Sequence, residues 1–183
     1  ENVCKTIEVL GEARIPIARP QFGPEHHTEP GPDMEHRGGY KMRRVDLRVM
    51  RKHLSNDVLR DEGWWSRLKE YYGRIIPLAE DYGVKIAMHP SDAPLPDTPF
   101  NSLGLHRLVD IHPSDSNGLL YCIGTRCEEG GPQLVLDEIN YYGRKGKIFL
   151  VHFRNVRGSL GTSEASEEVL LDDGDMNMFK ILL

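Results

Sequence analysis

The chain has 183 residues, enough for one domain with a sizeable core. Lys and Arg number 23 against 28 Asp and Glu, a net charge of −5 with both signs interspersed, which argues against a nucleic-acid partner. No run approaches roughly 18 apolar residues and no signal-peptide pattern opens the chain, which excludes a membrane partner. The three cysteines, Cys4, Cys122 and Cys127, are too few and too odd in number for a disulfide framework. They suit a reducing compartment, so the expectation is a soluble, cytoplasmic protein.

VCKTIEVLGEA places Val3, Ile7 and Leu10 on one helix face, with Gly11 as its end. RIPIARPQF then reads as a short strand. Residues 23–39 are rich in Pro, Gly, His and Asp and predict a long loop of the lid-like kind. A helix is expected from Asp46 to about Asn56. The basic cluster Lys41, Arg43, Arg44, Arg48, Arg51 and Lys52 is read as a solvated helix face. Asp61 can cap the next helix, which carries Trp64, Trp65, Leu68, Tyr71, Tyr72 and Ile75, with Pro77 a point of interruption and Gly83 its close.

A strand follows at 84–89, then a proline-rich loop, SDAPLPDTPFNS, and a short helix over Leu105–Ile111. HPSDSNG is a turn into a strand at Leu119–Cys122. Pro132 fits the first turn of a helix through Leu134 to Tyr142. Ile148–His152 is the next strand, RGSLGTSEASEE a loop, and a final helix begins near Met176. Strands alternating with helices predict the α/β class and a parallel sheet or (β/α) TIM barrel. A complete barrel takes about 250 residues, so one partial barrel domain over 1–183 is expected, with about four strands present. The chain opens at Glu1 without Met and stops inside a helical pattern, MNMFKILL, and so reads as a piece of a longer polypeptide.

Three of the expected strands end in a residue that binds metals. KIAMHP closes on His89, GLLYC on Cys122 and KIFLVHFRN on His152, at spacings of 33 and 30 residues, one strand–helix unit each. In a parallel barrel the strand C-termini share one rim, where catalytic groups sit. Two imidazoles and a thiolate there suit Mn, Fe, Co or Zn better than Mg or Ca, and leave coordination positions open for substrate or water. A carboxylate is the expected fourth ligand. Asp175 in DDGDMNM is acidic but is explained as a helix N-cap.

Arg154 and Asn155 lie just past His152, and an arginine there can clamp the carboxylate of a sugar acid. Asn117 is first a turn residue with Gly118 and only secondarily a substrate contact. Asp92 can accept from the His89 imidazole and orient it. His26, His27, His36, His53, His106 and His112 are read as surface or structural residues, and Cys127 as an incidental loop thiol. The Trp64–Trp65 and Tyr71–Tyr72 pairs are read as packing.

Several of these segments match one family in order. IIPLAEDYGVKIAMHPSDAPLP resembles the mannonate dehydratase segment whose proline- and Ala-Glu-bearing helix leads to a strand ending His-Pro-Asp-Asp-Pro-Pro. LGLHRLVD looks like that family's Gly-Leu-Pro-Arg segment, and SNGLLYCIGT is similar to its Asn-Gly…Cys-x-Gly-Ser/Thr strand. KIFLVHFRNV resembles its Phe-Val-His-x-Arg-Asn-Val, and DDGDMNMFKIL its Gly-Asp-x-Asp-Met. GGYKMRRVDL resembles a Gly-rich lid stretch more loosely. The likeness covers most of residues 70–183.

The resemblance implies a xylose-isomerase-like, metal-dependent barrel using Mn2+ or Fe2+. It implies dehydration of D-mannonate to 2-keto-3-deoxy-D-gluconate in hexuronate breakdown. On the family's pattern His89, Cys122 and His152 fall on metal ligands, and Arg154 and Asn155 on the substrate-contacting rim. Ser91 stands where the family usually has Asp, and His106 where it usually has Pro. The family's last ligand and its acid/base His belong to a later Arg-Pro-Asp-His strand, expected beyond Leu183, so no general base is assigned here. Two alternatives stand beside this reading. One is a metal-dependent sugar isomerase or epimerase, against which Cys122 counts because those enzymes rely on Glu and Asp. The other is a non-catalytic partial barrel. Association into a homo-oligomer is left open.

Overall fold

The computed structural model describes residues 2–20, 31–50, 62–89 and 101–183. In chain order the elements are α1 (Asn2–Glu12), β1 (Ile17–Ala18), β2 (Gly31–Glu35), a 3-10 turn (Arg37–Gly39), β3 (Lys41–Asp46), α2 (Leu47–Met50), α3 (Glu62–Asp81) and β4 (Lys85–Met88). There follow α4 (Ser102–Asp110), β5 (Asn117–Cys122), α5 (Ile123–Arg144), β6 (Ile148–His152), β7 (Asn155–Arg157), α6 (Leu160–Ser163), β8 (Ala165–Val169) and α7 (Met178–Leu182).

The strands β1, β4, β5 and β6 form one parallel sheet in that order. Neighbours in the sheet follow the chain without reversal, as in a singly wound barrel and unlike a doubly wound sheet. The expected four-strand part of a barrel is therefore present. β5 is buried at all six positions, the mark of a parallel strand covered on both faces. Gly118 is required there by close approach, since a Cβ would lie 2.6 Å from the Lys147 carbonyl oxygen. Helix α3 buries Trp64, Trp65, Leu68, Tyr72, Ile75, Ile76 and Ala79 along one stripe. It runs straight through Pro77, where the sequence suggested a break. Pro77 and Gly73, the residue four before it, are both exposed, so water can serve the carbonyl that the proline leaves unbonded. Among the described residues no helix is long and apolar enough to cross a membrane.

A second sheet, antiparallel in the order β2-β3-β8-β7, was not expected from the sequence. The part of the lid-like loop that is described, from Gly31 on, contains β2. Pro32 is tolerated because β2 is an edge strand and Pro cannot donate to a ladder. Of the helix expected from Asp46 to about Asn56, α2 is the described part, and residues 51–61 lie outside the described residues. The basic cluster is divided: Lys41, Arg43 and Arg44 lie on β3 and not on a helix, Arg48 lies exposed on α2, and Arg51 and Lys52 fall outside the described residues. Arg44 faces its cross-strand partner Glu167 at 3.2 Å, and β8 occupies the segment read as loop. Pairing and charge complementarity across strands outweigh weak intrinsic β propensity here.

The Asp46 carboxyl is pulled down to about 2, first by its hydrogen bonds from Arg48, against the opposing effect of burial. A carboxylate depressed on folding adds stability above its ordinary value of 3.8, and that contribution is lost as pH falls toward about 2. Asp46→Asn should therefore lower the urea midpoint near neutrality and flatten its fall between about pH 5 and pH 2. Equal acid limbs in the two proteins would refute this.

Helix α5 begins directly after Cys122, nine residues earlier than the Pro132 start that the sequence suggested. Gly131 (φ 75°) breaks it, and Pro132 opens the second segment as expected. The two halves are tied by Arg126, which is fully buried. Its guanidinium lies 2.6 Å from Glu129 and 2.7 Å from Glu138, and donates to Ser102 of α4 at 2.9 Å. The Tyr121 hydroxyl donates to the same Glu138 carboxylate at 3.1 Å. Burial opposes the Arg126 charge, but the hydrogen bond and charge of Glu138 more than offset it, and the net shift is upward. Arg126→Ala leaves the buried Glu138 carboxylate without its counter-charge and should cost about 3–5 kcal/mol in denaturant unfolding.

Candidate metal centre

The parallel register brings the three expected ligands together. Cys122 and His152 are direct partners across β5 and β6, and His89 follows the last residue of β4. All three therefore stand at the C-terminal ends of adjacent strands. Their donor atoms lie within 4.8 Å of one another, and the two imidazole centroids are 4.9 Å apart. Cys122 is buried, His89 half-buried and His152 exposed, so the group opens to one side. One cation at about 2.0–2.3 Å from each donor holds its ligands roughly 3–4.5 Å apart, a spread these side chains meet with small rotamer changes. Two imidazoles and a sulfur select a transition metal over Mg or Ca. Among the described residues no carboxylate joins the group.

The sulfur has polar neighbours. Thr125 Oγ1 donates to Cys122 Sγ at 3.0 Å, and Arg154 Nε donates to it at 3.4 Å. Arg154 Nη2 also donates to Thr125 Oγ1 at 3.0 Å and to Glu128 Oε1 at 2.9 Å. Cys122 occupies the N-cap of α5, where the helix dipole favours negative charge. Cys127 contrasts with it. Read from the sequence as a loop residue, it is buried on α5, and burial first, then Asp175 and Glu128, push its thiol up to about 12. It is a packing thiol.

The other expected site residues fall elsewhere. Asn155 is fully buried, its amide donating to the carbonyls of Leu171 and Met176 and its oxygen accepting from the Val156 and Met176 amides. Both N–H groups and both lone pairs are engaged in pinning residues 171–176, which leaves none for a substrate. Asn117 stands at the opposite end of β5 from Cys122, donating to the carbonyls of Leu108, Val109 and His112 at the end of α4. Asp175 does not cap α7: Asn177 does, while Asp175 accepts from the Gly158 amide at 2.7 Å. Asp92 and the histidines at 26, 27 and 53 lie outside the described residues.

Thr125 and Glu128 escaped the sequence reading. The signal was there: Cys122, Thr125 and Glu128 are spaced by three residues and share one helix face. Gly124, Gly130, Gly131 and Pro132 obscured that helix, because glycine and proline lower helix propensity most.

A family model for D-mannonate dehydratase (UxuA) matches residues 37–183. The chain belongs to that family. Mannonate dehydratase 2 of Halalkalibacterium halodurans is 29% identical over 127 residues, 67% of this chain and 36% of that protein. Mannonate dehydratase of Streptococcus equi subsp. zooepidemicus is 32% identical over 140 residues, 73% of this chain and 36% of that protein. The crystal structure of mannonate dehydratase from Streptococcus suis serotype 2 superposes with a TM-score of 0.81 at 23% identity. That superposition covers 99% of this chain and 56% of the solved one, and it carries the fold. The chain thus spans about a third of the length of the curated relatives it matches. The mannonate dehydratase resemblance and the half-barrel drawn from the sequence both hold.

The Asn155 amide clamps β7 to the turn before α7. Asn155→Ala strands the Met176 carbonyl in a buried site and should cost about 1–3 kcal/mol, read as a lower urea midpoint.

Proposed function

We propose that this chain carries the cation-binding rim of a D-mannonate dehydratase, a hydro-lyase that forms 2-keto-3-deoxy-D-gluconate. His89, Cys122 and His152 would hold Mn2+ or Fe2+. The observation that carries this reading is the convergence of these three donors within 4.8 Å in a chain of this family. In the reaction the proton beside the substrate carboxylate and the neighbouring hydroxyl leave together as water, and the enol that remains becomes the ketone. A bound divalent cation supplies Lewis-acid stabilisation for the negative charge that develops as that proton leaves.

The chain's own residues supply the seat. Buried Cys122 forms its floor, and the more accessible imidazoles of His89 and His152 flank the open side from which a sugar acid arrives. Cys122 favours the dehydratase over a sugar isomerase, whose cation sites are built from carboxylates. The free cysteines, two of them buried, support a reducing, cytoplasmic setting.

Calorimetric titration of the 183-residue chain with Mn2+ tests the reading. We expect one weak site whose affinity falls at least roughly tenfold in Cys122→Ser and in His152→Ala. D-Mannonate should then bind the Mn2+-loaded chain and not the metal-free one, with little keto-acid formation from this chain alone. Mn2+ binding untouched by both substitutions would overturn the proposed site.

A further inference from the structure

Arg154 faces inward, toward the sulfur. Its Nε–H points at Cys122 Sγ, and its Nη2 is shared between Thr125 and Glu128. Its side chain is 19% exposed and that of Glu128 only 4%, so their pairing is shielded from water. The ion pair therefore presents its positive end to the sulfur in a region where charge interactions are weakly screened. Thr125 links the two groups, accepting from Arg154 and donating to Cys122. A neutral thiol is a weak acceptor, whereas a thiolate accepts readily from two donors at once.

The backbone is shaped for this arrangement. A Cβ on Gly124 would lie 2.6 Å from Arg154 Cγ, Nε and Cζ, so the missing side chain leaves the slot in which the arginine lies. Gly124, Thr125 and Glu128 all belong to the first segment of α5, whose N-cap is Cys122 itself. One helix thus carries the sulfur, the slot and the two groups that fix the arginine.

We infer that Arg154, locked by Glu128 and Thr125 over Gly124, is a positioning residue for Cys122. It aims the sulfur at the cation and balances the charge of the cation-bound thiolate. It is not the substrate clamp that the sequence suggested, because Nε and Nη2 are already committed within the protein. This inference rests on the metal-site reading above. Groups that orient a metal ligand from behind are typically worth about 10–100-fold in metal affinity.

Cobalt(II) is the probe, because a thiolate ligand gives a sulfur-to-cobalt charge-transfer band that reports the sulfur directly. The full 183-residue chain is titrated with Co2+ as wild type, Cys122→Ser, Arg154→Gln with Glu128→Gln, and Gly124→Ala. The double variant strands no charge, and Gly124→Ala keeps every polar group while displacing the arginine. In both we expect Co2+ affinity to fall about 10–100-fold and the band to shift or weaken. The urea midpoint of the metal-free double variant should stay near wild type. Affinity and band both unchanged in these two variants would make Arg154 a structural staple and overturn the inference alone. A wild-type chain without a Cys122-dependent band would overturn the metal site and the inference with it.

Discussion

The register between β5 and β6 is the constraint on which the site depends. A parallel ladder places Cys122 beside His152, and the neighbouring β4 ends at Met88, which puts His89 on the same rim. A slip of one residue would turn Cys122 to the other face of the sheet, because side chains alternate along a strand. The register is held from both ends of β5. At its start, Asn117 bonds three carbonyls around the end of α4, and Gly118 lets the Lys147 backbone approach. At its end, Cys122 turns directly into α5.

Helix α5 links the barrel strands to two charged networks of the interior. Its first segment holds Glu128 against Arg154, beside the rim. From the same segment Arg126 reaches across the Gly131 break to Glu138 and over to Ser102 of α4. Buried ion pairs of this kind contribute little net stability but penalise any rearrangement that separates them. They fix how the two halves of α5 sit on β5, and hence how the sulfur is presented.

The antiparallel sheet grows out of the rim. Only Phe153 and Arg154 separate β6 in one sheet from β7 in the other. Asn155, the first residue of β7, draws residues 171–176 against that junction. Arg154 therefore sits where the two sheets meet, with Glu128 of α5 at 2.9 Å and Glu168 of β8 at 4.0 Å. The rim and the added sheet share a charged seam.

The sequence by itself determined the parallel half-barrel, its four strands and the three donors at their ends. Those features are local: an apolar run of strand length, a ligating residue at its end, and a helix before the next run. Tertiary structure decided what local signals cannot carry. β2 and β8 contain too much Pro, Gly and Glu to be recognised as strands, and exist because β3 and β7 offer them partners. The first half of α5 is weak by propensity and is stabilised by burial and by Arg126. Arg154 and Asn155 look alike in sequence, two polar residues past a histidine. Only packing showed that one turns toward the sulfur and the other closes a turn, because which polar partners lie in reach is settled when distant segments meet.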